Sequence, residues 1–262
     1  MVKKILKRFF NFLGFTIIKK STHLKLLRAK PSRKDEYSKN NLLHNFFTLL
    51  KNQNFNPEVI FDVGAHKGTW TKQCLLYFPN AQYYLFEPQL ELKNDISTNI
   101  PLDKNITLFN IGIGDTESTM SFTLHSRDDG RSFSYSGTEA NNLGFKQIEL
   151  PVNRLDNVIE KHRLPLPDIL KIDAEGFDIK VLKGAGKYLI EIEIILVEVG
   201  VMNKRVPNNV KEVVNFLDEK GFMFFDITDL NRPFENKILW LCEFVFIKKN
   251  GKLDKNYQFT TK

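Results

Sequence analysis

Short apolar runs alternate with stretches of helical spacing along most of the chain, and this alternation most constrains the fold. Five apolar runs are predicted as buried strands, at residues 59–63, 82–86, 106–111, 168–172 and 192–199. Between and after them, helices are predicted at residues 69–78, 90–100, 155–162, 179–189 and 210–220. Strands that alternate with helices run parallel in a sheet covered on both faces. The sequence therefore predicts a doubly wound α/β fold.

Two pairs of strands are predicted to depart from this parallel pattern. Residues 120–125 and 145–152 have the spacing of a hairpin, and the polar loop between them, 126–142, is rich in Ser, Gly, Asp and Asn. Residues 222–227 and 239–247 predict a closing antiparallel pair. The loop is either an element that recognises a substrate or a disordered surface insert.

A chain of 262 residues is long enough for one large α/β domain, and no repeat or linker marks a second core. We predict a basic, amphipathic helical extension at residues 1–52, one domain at 53–250 and a polar tail at 251–262. The hairpin and loop at 120–152 are predicted as an insertion within that domain.

Positive charge is concentrated at the start of the chain. The first 34 residues hold eleven Lys or Arg and no Asp or Glu, although the net charge of the whole chain is only +7. The rest of the chain therefore has more acidic than basic residues. A nucleic-acid-binding domain is expected to have basic character around its active face, so nucleic acid is not a predicted partner.

The basic N-terminal segment has two interpretations. Apolar residues at helical spacing lie beside its lysines, and the apolar run at 9–18 is too short to span a bilayer. The segment could lie as an amphipathic helix on an anionic membrane surface, or it could pack on the domain.

Cys74 and Cys242 have no metal-binding spacing, which favours a reducing compartment. We expect a cytoplasmic protein, with peripheral attachment to the inner membrane under the first interpretation.

A glycine turn follows the first predicted strand. Asp62 ends that strand, and Gly64 and Gly68 allow the backbone to approach a ligand closely before a helix begins. The spacing is G-x-x-x-G, and the G-x-G-x-x-G fingerprint of dinucleotide-binding folds is absent. A cofactor without a pyrophosphate therefore fits better, and S-adenosylmethionine offers an amine that Asp62 could bind.

Carboxylates mark the ends of three predicted strands. Glu87 follows the second strand and is placed to accept hydrogen bonds from both hydroxyls of a ribose. Asp173 and Glu175 follow the strand at 168–172, and Glu198 lies at the end of the neighbouring strand. Ligands of open α/β sheets bind at these carboxyl ends, which makes the three acids candidates for proton transfer.

These segments together resemble the FkbM family of methyltransferases. The resemblance covers about residues 58–248, and its most specific part is the segment Lys171-Ile172-Asp173-Ala174-Glu175-Gly176. It implies a Rossmann-like class I methyltransferase fold with an antiparallel C-terminal strand, S-adenosylmethionine as cofactor, and O-methylation of a sugar or natural product. Two positions depart from the family pattern, because His66 stands where Asn is usual and Gly112 where Ala is common.

The resemblance and the motifs give a set of expected cofactor-binding residues. Asp62, Gly64, Gly68 and Glu87 would bind the cofactor, Asp115 would lie near its adenine, and Asp173 would sit where its methionine part meets the acceptor. With the other residues of the two motifs, the expected set is Asp62, Gly64, Ala65, His66, Gly68, Thr71, Glu87, Pro88, Asp115 and Asp173.

Catalysis on a hydroxyl acceptor needs a group that removes its proton. We expect Asp173 to be this base, with Glu175 and Glu198 supporting it, and His125 is a second candidate. Asp173 and Glu198 are also candidate ligands of a divalent metal ion, which would lower the pKa of the hydroxyl.

The expected function is O-methylation of a sugar or glycan precursor, such as a lipid-linked precursor of a surface polysaccharide. The first alternative is a methyltransferase for a small-molecule natural product. The second is a non-catalytic module of the same fold that binds a glycan or a membrane. An NAD-linked oxidoreductase is disfavoured by the missing dinucleotide fingerprint.

Overall fold

The computed structural model describes residues 41–102, 105–125, 127–202 and 208–256. The predictions for the basic segment at residues 1–34 lie outside these residues, as does Ser126 at the start of the predicted polar loop. Within the described ranges, no helix is both long enough and apolar enough to cross a membrane.

The described residues form strands β1 (Val59–Val63), β2 (Gln82–Phe86), β3 (Ile106–Phe109), β4 (Gly112–Gly114), β5 (Ser118–Leu124), β6 (Lys146–Arg154), β7 (Ile169–Ile172), β8 (Ile194–Gly200), β9 (Phe222–Asn231) and β10 (Leu241–Lys248). Seven of them form the central sheet in the order β3-β2-β1-β7-β8-β10-β9. The first five in this order are parallel, and β10 is antiparallel to both of its neighbours. The predicted doubly wound sheet with an antiparallel C-terminal strand is confirmed.

A smaller sheet, in the order β4-β6-β5, stands beside the central one. Its β5 and β6 pair antiparallel from Ser118↔Val152 to Leu124↔Lys146, which confirms the predicted hairpin. The prediction of one strand at 106–111 was wrong, because β3 ends at Phe109 and the chain then enters β4 of the second sheet. Gly112 permits this turn, since a Cβ there would lie 2.7 Å from the ring of Phe133.

The described helices are α1 (Leu42–Asn52), α2 (Thr69–Cys74), α3 (Lys93–Asn99), α4 (Gly137–Asn142), α5 (Leu155–His162), α6 (Asp178–Gly184), α7 (Val210–Glu219) and α8 (Lys252–Asn256). Helices predicted at 69–78, 90–100 and 179–189 are shorter than expected, because turns or 3₁₀ segments take over at one end of each. The α4 helix lies within the predicted loop, and a capping box between Ser136 and Glu139 begins it.

Each face of the central sheet carries its own hydrophobic core. Alternate residues of β1 point to opposite faces, so Phe61 joins the core under α5, α6 and α7, while Ile60 joins the other. That second core includes Phe46, Phe47 and Leu50 of α1, all fully buried. The helix α1 therefore packs on the sheet.

Replacing Phe47 with alanine is expected to destabilise the fold by about 3–5 kcal/mol, because the change leaves a cavity in a close-packed core. Phe47 is fully buried, and its ring contacts the rings of Trp70, Tyr77 and Phe78. Urea unfolding of the variant beside the exposed control Leu143→Ala measures the effect. Equal stability of the two variants would contradict the placement of α1.

Candidate active site

The glycine turn after β1 lies against the end of β7. Gly64 has φ +74°, and a Cβ at this position would lie only 1.8 Å from the carbonyl oxygen of Asp173. Strand β1 stands between β2 and β7, where the strand order reverses, and this is where open α/β sheets bind ligands. Gly68, with φ +72°, caps α2 and packs on Ile96 and Ile100.

A cavity of about 650 Å³, counted to its open mouth, lies at this reversal point. Residues from the segments 63–66, 86–89, 111–113, 128–133 and 173–177 line it, together with Phe122. The rings of Phe122, Phe133 and Phe177 contact one another in sequence, at 4.8 and 5.6 Å between centroids. The cavity thus joins an aromatic wall to polar backbone and carboxylate groups.

Glu87 lies in this cavity with its side chain almost wholly buried. One carboxylate oxygen accepts the backbone N–H of His66 at 2.8 Å, and the other accepts the N–H of Gln89 at 2.9 Å. Burial raises the pKa of Glu87 to about 7, although these two N–H groups act to lower it. The carboxylate is thus fixed in position and titrates near neutral pH.

Cofactor affinity is expected to fall as the pH drops below 7. A ribose hydroxyl donates to the ionised carboxylate, so the cofactor binds best to the ionised form of Glu87. Below its pKa, Glu87 becomes protonated and this form is lost. At pH 6 about one tenth of the sites would be ionised, and the affinity for S-adenosylmethionine should be about tenfold weaker than its plateau. Calorimetry at pH 6 and 7.5 measures this, and Glu87→Gln should remove most of the dependence. If the affinity of Glu87→Gln kept the same pH dependence, Glu87 would not be the group that causes it.

Asp62 and Lys171 form a buried ion pair beside the turn. One Asp62 oxygen accepts the hydroxyl of Thr71 at 2.6 Å. The other has no hydrogen-bond partner within the described residues, and the Lys171 ammonium lies 3.6 Å away. Burial raises the pKa of Asp62, with Lys171 and Thr71 acting in the opposite direction. Among the described residues, Asp62 therefore keeps one carboxylate oxygen without a hydrogen bond beside the glycine turn, but its side chain is fully buried and lines neither cavity.

Lys171 also pairs with Asp173, at 3.2 Å. Although its burial acts against the charged form, the Asp173 and Asp62 carboxylates raise the pKa of Lys171, so it stays an ammonium ion. Our sequence reasoning missed this residue. The available signal was a lysine in the middle of an apolar strand, which needs a partner when it is buried.

Three carboxylates converge at the ends of β7 and β8. Asp173, Glu175 and Glu198 have oxygen atoms within 4.8 Å of one another, as their positions in the sequence suggested. Burial, followed by the charges of Asp173 and Glu175, raises the pKa of Glu198 well above its ordinary value. The arrangement suits either proton transfer or the binding of a divalent cation.

A fourth carboxylate holds the turn between β7 and α6 in place. Asp178 is fully buried and accepts the backbone N–H groups of Ala174 and Gly176, at 2.9 and 3.0 Å. It also accepts the side-chain amide of Asn208 at 2.8 Å, and burial raises its pKa to about 6. Neither Asp178 nor Asn208 was singled out from the sequence.

The other expected site residues lie at different distances from the cavities. His66 lines this cavity and a second, neighbouring cleft, whereas Pro88 lines only the first and Ala65 only the second. Thr71 reaches the site through Asp62. Six expected residues are not among the described residues that line either cavity: Asp62, Gly68, Thr71, Asp115, His125 and Glu198.

His125 and Asp115 have structural contacts instead. The Nδ1 atom of His125 accepts the backbone N–H of Arg127 at 3.1 Å, and its ring contacts Phe145 at 4.7 Å between centroids. The carbonyl oxygen of Asp115 accepts a hydrogen bond from Arg154 at 2.8 Å.

The segment 127–142, predicted as a loop, closes over the first cavity. Arg131 donates to Gln89 at 2.9 Å and pairs with Glu91 at 2.6 Å, and Asp128 pairs with Lys67 at 2.5 Å. Ser132 donates to the carbonyl oxygen of Glu175 at 2.7 Å. Because the segment contacts several elements, its position is defined, and these contacts disfavour the alternative of a disordered surface insert.

The central sheet and the site together define the class of the protein. A mostly parallel sheet with this strand order, a glycine turn after its first strand and an antiparallel last strand constitute the class I methyltransferase fold. Residues 62–224, more than half of the chain, match the methyltransferase FkbM domain. The chain therefore belongs to the FkbM methyltransferase family, as the resemblance predicted, and it is a methyltransferase, for which the sequence predicts S-adenosylmethionine as the cofactor.

Relatives and solved structures similar to this chain are also methyltransferases. Hexuronic acid methyltransferase AglP from Haloferax volcanii is 24% identical over 184 residues, 70% of this chain and 71% of that protein. Precorrin-6y C5,15-methyltransferase from Geobacter metallireducens GS-15 has a TM-score of 0.42 at 13% identity, covering 84% of this chain and 93% of that one. For N-methyltransferase NodS from Bradyrhizobium japonicum WM9, the TM-score is 0.44 at 8% identity, with coverages of 79% and 97%.

The residues around the first cavity fit the cofactor. Glu87, which lines the cavity, suits the ribose hydroxyls of S-adenosylmethionine. The Asp62 oxygen without a hydrogen bond belongs to the residue before Val63, which lines the cavity, and it would suit the cationic amine directly or through a water molecule. Gly64 leaves the space that a Cβ would fill, which lets the backbone approach the ligand.

Proposed function

We propose that the protein transfers the methyl group of S-adenosylmethionine to a hydroxyl group of a sugar or glycan precursor. The observation that carries the proposal is the position of Asp173, which lines both the first cavity and the neighbouring cleft. A base at this junction can reach an acceptor hydroxyl next to the cofactor. The name of the relative, a hexuronic acid methyltransferase, supports a sugar as the acceptor.

In this proposal the residues of the chain bind the cofactor and remove the proton of the acceptor hydroxyl. Asp62 would accept the cofactor amine and Glu87 the ribose hydroxyls, while the backbone at Gly64 would border the methionine part. The cofactor, when bound, would supply an electrophilic methyl group on a sulfonium. Asp173 would take the proton that the acceptor hydroxyl loses in the transfer.

Glu175 and Glu198 have two roles open to them in this mechanism. They either support Asp173 as neighbouring carboxylates, or they hold with it a divalent metal ion that lowers the pKa of the hydroxyl. Dialysis against EDTA separates the roles: turnover that survives chelation supports proton transfer alone, and turnover that returns only with added Mg²⁺ or Mn²⁺ supports the metal. His125, which lies away from both cavities, is the weaker candidate base.

Transfer of a labelled methyl group tests the proposed reaction. The full-length protein would be incubated with methyl-labelled S-adenosylmethionine and a glycan fraction that includes lipid-linked precursors. We expect label in a sugar methyl ether, which survives mild alkali and is identified by NMR. Label that alkali releases as methanol would indicate an ester, and label on nitrogen or on a non-sugar natural product would overturn the proposed acceptor class.

The basic N-terminal segment supports attachment to the inner face of a membrane. Its first 34 residues hold eleven Lys or Arg and no Asp or Glu, and this positive charge would be attracted to anionic lipid headgroups. We expect the full-length protein to float with vesicles that contain anionic lipid. A variant that lacks residues 1–30 should remain in the lower fraction with unbound protein. Equal flotation of both proteins would contradict membrane binding by this segment.

A further inference from the structure

A second cleft opens beside the first cavity, and Gly64, His66 and Asp173 form the boundary between them. Its other walls come from the start of α1, from the first turns of α2 and from the β9–β10 hairpin. The space is larger than the first cavity, about 1170 Å³ counted to its mouth.

The two spaces differ in what their walls offer. The first has the aromatic wall and Glu87, which suit a nucleoside, and the segment 127–142 closes over it. The second has no part of that segment among its described lining residues. An acceptor in the second cleft would reach Asp173 at the boundary that the two spaces share.

Within the described residues, Trp70 holds an unpaired donor in the wall of the second cleft. Its side chain is 8% exposed and lines the cleft, and its indole N–H has no hydrogen-bond partner within the part of the chain that is described. A buried indole N–H usually finds an acceptor, so this atom is suited to a hydroxyl oxygen of a ligand.

The charge of the cleft is the second feature that selects a ligand. Lys171 is the one Lys or Arg among its described lining residues, and that ammonium already pairs with Asp62 and Asp173. The charged hairpin residues that line the cleft are the exposed Asp229 and Glu243, which accepts the Thr228 hydroxyl at 2.6 Å. Burial raises the pKa of Glu243 to about 7, so Asp229 is the more fully charged of the two at neutral pH. These carboxylates accept hydroxyl or ammonium hydrogens and repel a ligand carboxylate.

We infer that the second cleft is the acceptor site and that it takes a polyhydroxylated acceptor without a carboxylate, such as a neutral or amino sugar. The inference rests on the proposed function. It moves acceptor recognition away from the segment 126–142, where the sequence had suggested it. It also separates this chain from the relative whose name specifies a hexuronic acid.

The test uses the full-length protein saturated with S-adenosylhomocysteine, so that the first cavity is filled and no reaction occurs. Methyl glucoside, methyl glucosaminide and methyl glucuronide are titrated as probes by saturation-transfer NMR. We expect the glucuronide to bind at least about tenfold more weakly than the other two, because like charges repel. Asp229→Lys should reduce the difference in affinity between the glucuronide and the other two probes. Glu219→Lys makes the same charge change on the exposed end of α7 and should leave that difference unchanged.

A second variant tests the cleft without changing its charge. Trp70→Phe removes the indole N–H donor together with part of the ring system, and it should weaken the binding of methyl glucoside about fivefold while the affinity for S-adenosylhomocysteine stays unchanged. The inference is overturned if the glucuronide binds as tightly as the glucoside, if no probe binds, or if Asp229→Lys and Trp70→Phe have no effect. A failure of the proposed function is seen separately in the transfer assay, because no label would then enter a sugar methyl ether.

Discussion

Replacing Gly64 with alanine is expected to abolish cofactor binding and to destabilise the fold. The new Cβ would lie 1.8 Å from the carbonyl oxygen of Asp173, whereas real Cβ contacts are essentially never under 3.0 Å. The ends of β1 and β7 would have to separate by about 1 Å, a displacement that can cost about a hundredfold in a site of this kind. The positive φ and the overpacking together should cost at least about 3 kcal/mol of stability.

Gly144→Ala is the matched control for this prediction. Gly144 has nearly the same backbone conformation, φ +70°, but a Cβ there would meet nothing within 4 Å. This variant should lose only about 1–2 kcal/mol from the left-handed conformation and keep its affinity for S-adenosylmethionine. Thermal unfolding and calorimetry on both variants measure the two effects. Equal losses of affinity would show that the contact with Asp173 is not what makes Gly64 necessary.

Asp173→Asn is expected to lower kcat by about 10²–10⁴-fold while the affinity for S-adenosylmethionine changes little. The amide fills the same space but cannot take the acceptor proton. Lys171 keeps Asp62 as a partner at 3.6 Å, so the buried ammonium is not left alone. Single-turnover rates and calorimetry separate the loss of chemistry from a loss of binding.

Asp168→Asn provides the control on the same stretch of chain. Asp168 precedes β7 at the opposite end from Asp173, where its carboxylate accepts the backbone N–H groups of Glu58 and Val59. We expect this variant to keep its turnover, although it can lose stability. If Asp173→Asn also turned over at the normal rate, Asp173 would not be the base.

The central sheet was predictable because its signals are local and periodic. The apolar runs of β1 and β2 are bounded as predicted, since strands buried on both faces have continuous hydrophobic sequences. The convergence of Asp173, Glu175 and Glu198 was also predictable, because carboxyl ends of neighbouring parallel strands meet at one edge of the sheet.

Other features depend on contacts between distant parts of the chain. The pairing of Lys171 with Asp62 brings together two strands that are separated by more than a hundred residues, and no local pattern encodes it. The early end of β3 depends on β6, which pairs with the next segment, β4. The α4 helix is different, because its capping box at Ser136 and Glu139 was readable in the sequence and was outweighed by the polar composition around it.

Calorimetric titration with S-adenosylmethionine and with NAD, on the wild type and on Glu87→Ala, tests the central claim most directly. We expect S-adenosylmethionine to bind, NAD not to bind, and the substitution to weaken binding of S-adenosylmethionine at least about tenfold, because a carboxylate that accepts the ribose hydroxyls is lost. Binding of NAD, or binding of S-adenosylmethionine that is equally tight in Glu87→Ala, would contradict the assignment of the first cavity to this cofactor.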